Sequence, residues 1–440
     1  MQVADTQAVA PAATALWLSV EDLPAAMTGT GAPTLVWAVA QGDFELDVLA
    51  AADPAQPQTP TVEYAAAADP AAPWQPLPAP AAVHAVTGDG QHVWRLQPSL
   101  AAAKVRLRAR SSAATSPELT LQVVARTPAL DPFDQVDFWR VHWGRDLGQV
   151  QVKLAGSAAQ VTQTKKPNGT PDWIEALQHL GLQGGDPQWN AGLRTVLQNT
   201  VRQQLWGYFH LDPLSGGLTA GSVRVQLAFD DEPWPTAGAV KVSKIAVGGD
   251  APVIGGVQSL FGQALTDANN QQADDDTAHD LGIFTTSLLR AILQQPVAQK
   301  LLAPVVPALG GQPFGNLASD AALLDPKLDP SAIAEPVAHQ RAVLFKLVLR
   351  LLATGLSSLL AHEMGHSLGL VQPGLPPHGL LAGVDGPWLA GPSDGWHIDT
   401  PGPNLMQQGK SLNITEILSQ TPAFSAMEFG YLRRRLLVLP

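Results

Sequence analysis

The sequence predicts a multidomain chain: an N-terminal all-β sandwich over residues 14–126, then an α+β domain over 127–440 with its core at about 190–440. Three observations carry this. Short segments of period-2 alternation recur between Pro and Gly through the first part of the chain. Strand-like and helix-like periods are interleaved through the rest. One long apolar segment, starting near Pro336, ends in His362-Glu363-Met364-Gly365-His366 and is closed by Gly369.

Composition bounds the reading. With 440 residues the chain exceeds one ordinary domain, and a hydrophobic content of 45% can bury large cores. The formal net charge is -12 with only 26 Lys+Arg, which argues against a nucleic-acid partner and against an anionic membrane surface. There is no cysteine, so any metal must be held by His, Asp or Glu. Met1 to Thr6 lacks the basic and apolar regions of a signal peptide. The longest apolar run carries Lys346 and Arg350 and leads into the histidine motif, so it is read as a core helix and not as a membrane span.

The sandwich is read from six segments. They are Leu16 to Val20, Thr34 to Val39, Phe44 to Val48, His92 to Leu96, Lys104 to Arg110 and Leu119 to Val124. Arg106, Arg108 and Arg110 share one strand face, and a solvated face is the plainer reading of that stripe. The stretch from Val105 to Val124 resembles the end of a fibronectin-type or immunoglobulin-like module.

Arg126 to Pro132 reads as a linker. Beyond it, Trp139, Trp143, Trp173 and Trp189 are assigned to the core rather than to a sugar-binding platform. Val150 to Leu154 is strand-like, and Asp172 to Leu177 is a short helix that Asp172 is placed to cap. Leu193 to Phe209 has the spacing of an amphipathic helix. Val223 to Phe229 and Val240 to Val247 are strands. An acidic loop follows, with Asp267, Asp274, Asp275, Asp276 and Asp280. Ca2+ is a candidate there because hard oxygen ligands cluster, but no known loop spacing is matched and a solvated loop is the default. Leu281 to Leu302 includes helical pieces broken by Pro296, and Pro336 suits a first helical turn.

The motif carries the chemistry. Residues four apart on a helix lie on one face, so His362 and His366 can present two imidazole nitrogens to a single metal ion. Glu363 lies about 100° round the helix from His362, within reach of a water on that ion. Zinc lowers the pKa of such a water toward about 7, and a carboxylate must take the proton. Gly369 supplies the left-handed residue that ends the helix.

His362, Glu363, His366 and Gly369 resemble the metzincin clan of zinc metallopeptidases, whose signature is His-Glu-x-x-His-x-x-Gly-x-x-His with a downstream Met-turn. Asn404 to Gly409 looks like that turn, and the resemblance implies that Met406 lies beneath the metal without ligating it. It also implies a zinc cofactor, a protein or peptide substrate, and a final helix, here Phe424 to Leu437. The third ligand is expected at position 372, where the chain has Gln372, a poor zinc ligand. His397, nine residues before Met406, is the preferred replacement. His378 is the alternative, and Asp385, Asp394 and Asp399 remain further candidates. Gln408 stands where some members of the clan have a tyrosine, so three protein ligands and a water are expected.

The resemblance therefore implies a zinc endopeptidase with Glu363 as general base, secreted or at the cell surface, with the sandwich a candidate for attachment to a surface or matrix. The alternative, motivated by Gln372, is a catalytically inactive binding protein that keeps the metzincin fold.

Overall fold

The computed structural model describes residues 16–20, 23–24, 34–39, 46–50, 59–79, 81–86, 92–112, 114–124, 137–155, 158–210, 225–230, 232, 242–252, 261–265, 267, 281–370, 404–406, 422–424, 428 and 432. The chain divides into two units. One comprises 1–132, 210–223 and 424–440, and the other 133–209 and 224–423. The architecture is an all-β part followed by a mixed α/β part.

Among the described residues, ten strands build the first. They are β1 (Leu16–Val20), β2 (Leu23–Pro24), β3 (Thr34–Val39), β4 (Leu46–Ala50), β5 (Thr61–Ala66), β6 (Gln75–Pro76), β7 (Val83–Val86), β8 (His92–Leu96), β9 (Ala103–Arg110) and β10 (Leu119–Val124). One sheet has the order β2-β1-β4-β8-β7 and is antiparallel throughout. The other has the order β3-β10-β9-β5-β6, with β3 lying parallel to β10. Alternate residues of both sheets fill one core, with Leu16, Leu18, Leu46, Val48 and Trp94 from the first and Val62, Val105, Leu107, Leu119, Leu121 and Val123 from the second. This is the two-sheet packing that period-2 alternation anticipates.

Four of the six sequence-read strands coincide with observed strands, a fifth begins one residue earlier, and the segment read from Phe44 is displaced to Leu46–Ala50. Strands β2, β5, β6 and β7 escaped the reading. The outer strand β7 is exposed at every position and so shows no alternation. The arginine stripe covers the sheet: Arg106 and Arg108 lie 5.1 and 4.0 Å from the centre of the Trp74 ring, and Arg108 pairs with Glu63 at 2.7 Å. Stacked and ion-paired guanidinium groups are a structural cladding.

The second part is organised by a five-stranded sheet and one long helix. Its elements are β11 (Asp137–His142), the hairpin β12 (Val150–Ala155) and β13 (Ala158–Gln163), α1 (Asp172–His179), α2 (Pro187–His210), β14 (Val225–Phe229), β15 (Val242–Val247), β16 (Gly262–Gln263), β17 (Gly282–Ile283), α3 (Thr285–Gln294), α4 (Pro296–Leu302) and α5 (Pro336–Ser367). The sheet order is β14-β11-β15-β17-β16, parallel except at the outer strand β16, which runs antiparallel to β17. Trp139, Trp143, Trp173 and Trp189 are all buried, as core residues should be.

The expected N-cap at Asp172 needs correction. Pro171 occupies the cap position without a side-chain bond, and the Asp172 carboxylate accepts N–H groups from Leu147 and Gly148 in the loop between β11 and β12. Burial raises the pKa of that carboxyl above its ordinary value, and the amide donors oppose the rise.

Helix α5 begins where the proline signal put it. Glu335 accepts the N–H groups of Val337 and Ala338, with Pro336 in the first turn. The helix is long and apolar enough to cross a bilayer by length and composition, yet 61% of its most apolar window is buried inside the protein. Polar groups also fasten it. The Tyr208 hydroxyl on α2 lies 3.3 and 3.1 Å from those of Ser357 and Ser358, and Gln204 bonds Thr354 and Ser357.

Candidate metal centre

The last turns of α5 place both motif histidines and fix their rings. The helix ends in a Schellman cap: Gly369 N–H donates to His366 O at 3.0 Å and Leu370 N–H to Gly365 O at 2.8 Å. Gly369 has φ +95°, the left-handed value expected of a residue that stops the helix. The cap also turns the Leu370 carbonyl toward His366, whose Nδ1 lies 3.3 Å from it. The other ring is held from further along the chain. His362 Nδ1 lies 2.5 Å from Leu405 O.

These two carbonyls decide the tautomers. A carbonyl oxygen only accepts, so each Nδ1 carries the proton and donates it. The two Nε2 atoms face each other, 3.0 Å apart with the ring planes at 90°. Two imidazoles bound at about 2.0–2.1 Å to one tetrahedral ion would hold their nitrogens about 3.3 Å apart, close to the observed spacing. The donor set, neutral imidazole nitrogens with backbone-fixed second nitrogens, fits zinc.

Glu363 is 4% exposed and lies against the outer strand of the sheet. A Cβ placed on Gly262 of β16 would overlap the Glu363 carboxylate and come within 2.8 Å of its Cγ and Cδ. Only glycine leaves room for this carboxylate beside the strand. Met406 is fully buried, and a Cβ on Gly365 would lie 2.7 Å from its sulfur. Its turn is fixed by Asn404 Oδ1, which accepts Met406 N–H at 2.8 Å, and by Leu405 N–H donating to Ala423 O at 2.9 Å. Met406 thus sits under the helical turn that separates the two histidines.

Several sequence-read residues lie outside the described residues: His397, His378, Gln372, Asp385, Asp394, Asp399 and Gln408 near the metal motif, and Asp274, Asp275, Asp276 and Asp280 of the acidic loop. Among the described residues, no cluster of three or more His, Asp or Glu side chains is placed to hold an ion. Asp267, at the start of the acidic loop, is buried and its N–H donates to Ser367 O at 2.8 Å. Of the closing helix, Glu428 and Leu432 are helical and fully buried. The sequence reading missed Gly262, Leu370 O and Leu405 O. A backbone carbonyl has no residue signature, and Gly262 carries no local sign of what it faces.

The sequence matches no protein-family model and no curated protein. Solved structures similar to parts of it include the ZIG-8 IG1 homodimer, at 14% identity over 23% of this chain and 87% of that one, with a TM-score of 0.14. The tandem Ig repeats of Dlar are similar at 11% identity over 35% of this chain and 69% of theirs, with a TM-score of 0.14. Titin A168–169 is similar at 10% identity over 30% of this chain and 60% of its own, with a TM-score of 0.12. Likeness at this level carries no argument about fold or function.

Proposed function

We propose that the chain is a zinc-dependent endopeptidase of metzincin-like architecture, preceded by an immunoglobulin- or fibronectin-like sandwich. The observation that carries it is the facing pair of Nε2 atoms on His362 and His366, with the Nδ1 of each ring directed at a backbone carbonyl on its far side. His362 and His366 would hold the ion, with His397 the preferred third ligand and His378 the alternative. Zinc, when bound, supplies Lewis acidity to a carbonyl and lowers the pKa of a water toward about 7.

The protein's own groups do the rest. Glu363 accepts the proton of the attacking water on its carboxylate and returns it to the leaving amide nitrogen. Among the described residues strand β16 is the outer strand of the sheet and lies beside Glu363, an edge suited to an extended peptide pairing as an added strand. That geometry supports a protein or peptide substrate, and a secreted or cell-surface setting with attachment through the sandwich completes the proposal. The acidic balance disfavours a nucleic-acid partner.

The test uses the full chain. One zinc per chain after reconstitution is expected, together with casein hydrolysis that falls by about 10²- to 10⁴-fold in Glu363→Gln while zinc stays bound. His362→Ala and His366→Ala should each lose the metal. Unchanged hydrolysis in Glu363→Gln overturns the mechanism. Failure to take up zinc overturns the enzyme reading in favour of an inactive binding protein, the outcome that Gln372 would then explain. If His378→Ala releases zinc and His397→Ala keeps it, the third ligand is His378.

A further inference from the structure

We propose that His84 and His92, on the outer hairpin of the sandwich, form a second binding site for a divalent transition-metal cation. Strand β7 is the outer strand of its sheet and pairs antiparallel with β8, setting His84 opposite Trp94 and Val86 opposite His92. In that register His84 and His92 are diagonal neighbours on the same face. Their side chains meet: His84 Nε2 lies 3.0 Å from His92 Nδ1, with ring centres 5.2 Å apart and planes within 7° of each other.

The spacing suits one shared ion. Two imidazole nitrogens at about 2.0–2.1 Å from a metal stand about 2.9 Å apart at a right angle and about 3.3 Å apart at the tetrahedral angle. The observed separation falls between the two. Both rings rest against one rigid surface. The Trp94 ring centre lies 4.9 Å from that of His84 and 6.0 Å from that of His92, and Trp94 is itself locked in the sandwich core. Rotamers held in this way cost little further entropy when an ion arrives. His84 is exposed on β7, so the site opens to solvent, and water can fill the remaining coordination positions.

Imidazole donors suit the later first-row metals, and affinity rises along the series to Cu2+ and falls back at Zn2+. The preferred occupant is therefore Cu2+, with Zn2+ weaker. Neither residue belongs to the His362–His366 pair, so the inference stands apart from the proposed peptidase activity.

Copper titration of the full chain tests it, followed by electron paramagnetic resonance and tryptophan fluorescence. The wild type should bind one equivalent more Cu2+ than His84→Ala or His92→Ala, with nitrogen hyperfine splitting from two imidazoles and quenching that Trp94→Phe removes. The double variant His362→Ala/His366→Ala should retain this equivalent. If that variant fails to fold, the difference between wild type and His84→Ala still counts the site. Binding more than about tenfold weaker in each single variant is expected of lost ligands. Equal stoichiometry and affinity in wild type and His84→Ala would overturn the proposal and leave an imidazole–imidazole hydrogen bond.

Discussion

Gly365 faces the sulfur of Met406 so closely that a methyl group on the glycine would stand 2.7 Å from it, and 3.1 Å from Leu370 Cδ1. The glycine lies in the last turn of the helix, and within a helix alanine is ordinarily more favourable by about 0.8–1.0 kcal/mol. Overpacking a filled site costs about 1–3 kcal/mol, so the second effect wins. Gly365→Ala is expected to destabilise by about 1–2 kcal/mol. Met406→Ala opens a cavity and costs about 2–5 kcal/mol. The double variant should cost clearly less than the sum, since the alanine methyl enters the space the thioether vacates. Urea unfolding of the four proteins measures the coupling, and strict additivity would show that the two residues do not share that space.

Gly262 makes room for the Glu363 carboxylate. Gly262→Ala should displace that carboxylate and lower peptide hydrolysis by at least about tenfold, a part of the 10²–10⁴ attributed to a general base. Zinc content should stay at the wild-type level. Loss of zinc in step with activity would mean that the glycine supports the helix and not the carboxylate.

Gly369 joins the helix stop to the orientation of the His366 ring. Placing a Cβ at its positive φ costs about 1–2 kcal/mol and shifts the cap that presents Leu370 O to His366. Gly369→Ala should therefore weaken zinc affinity by about 10- to 100-fold as well as reduce stability. Gly369→Asn, which tolerates the left-handed region, should recover most of both. A zinc affinity in Gly369→Ala equal to wild type would separate the cap from the metal centre.

Asp230 gives the second unit a dependence on acid. Burial alone would raise its pKa. Hydrogen bonds from His142 and from the Trp143 N–H, with the charges of His142 and Arg140, outweigh burial and hold it below the ordinary carboxylate value. The depressed value means that this stabilisation is present above the unfolded pKa of about 3.9 and disappears as pH falls through the folded one. Asp230→Asn should lower stability near neutrality and flatten the loss between pH 5 and 3, roughly the span over which a carboxylate protonates. Equal losses in wild type and variant across that window would assign the acid sensitivity to other groups.

Much of this was legible before any coordinates. Leu16, Leu18, Leu46 and Val48 alternate with residues on the opposite strand faces and all end in the core, so a period of two located their strands. Pro336 and Gly369 bracketed α5 because each is favoured by a backbone state found at only one end of a helix. What the sequence withheld was tertiary. Strand β7 has no buried face to create a pattern, and its His84 acquires meaning only when the hairpin register brings His92 diagonally across from it. The acceptors of the two motif histidines are main-chain oxygens, and every residue possesses one.

The hydrogen bond from His362 to Leu405 spans 43 residues, and the turn that offers the oxygen is pinned in its turn to Ala423. Biosynthesis therefore delivers the helix and both imidazoles well before the group that aims the first of them. A nascent polypeptide released early would carry the motif intact and yet lack its aim. The orientation of His362 is therefore settled only once the segment around Ala423 has been made and has paired with Leu405.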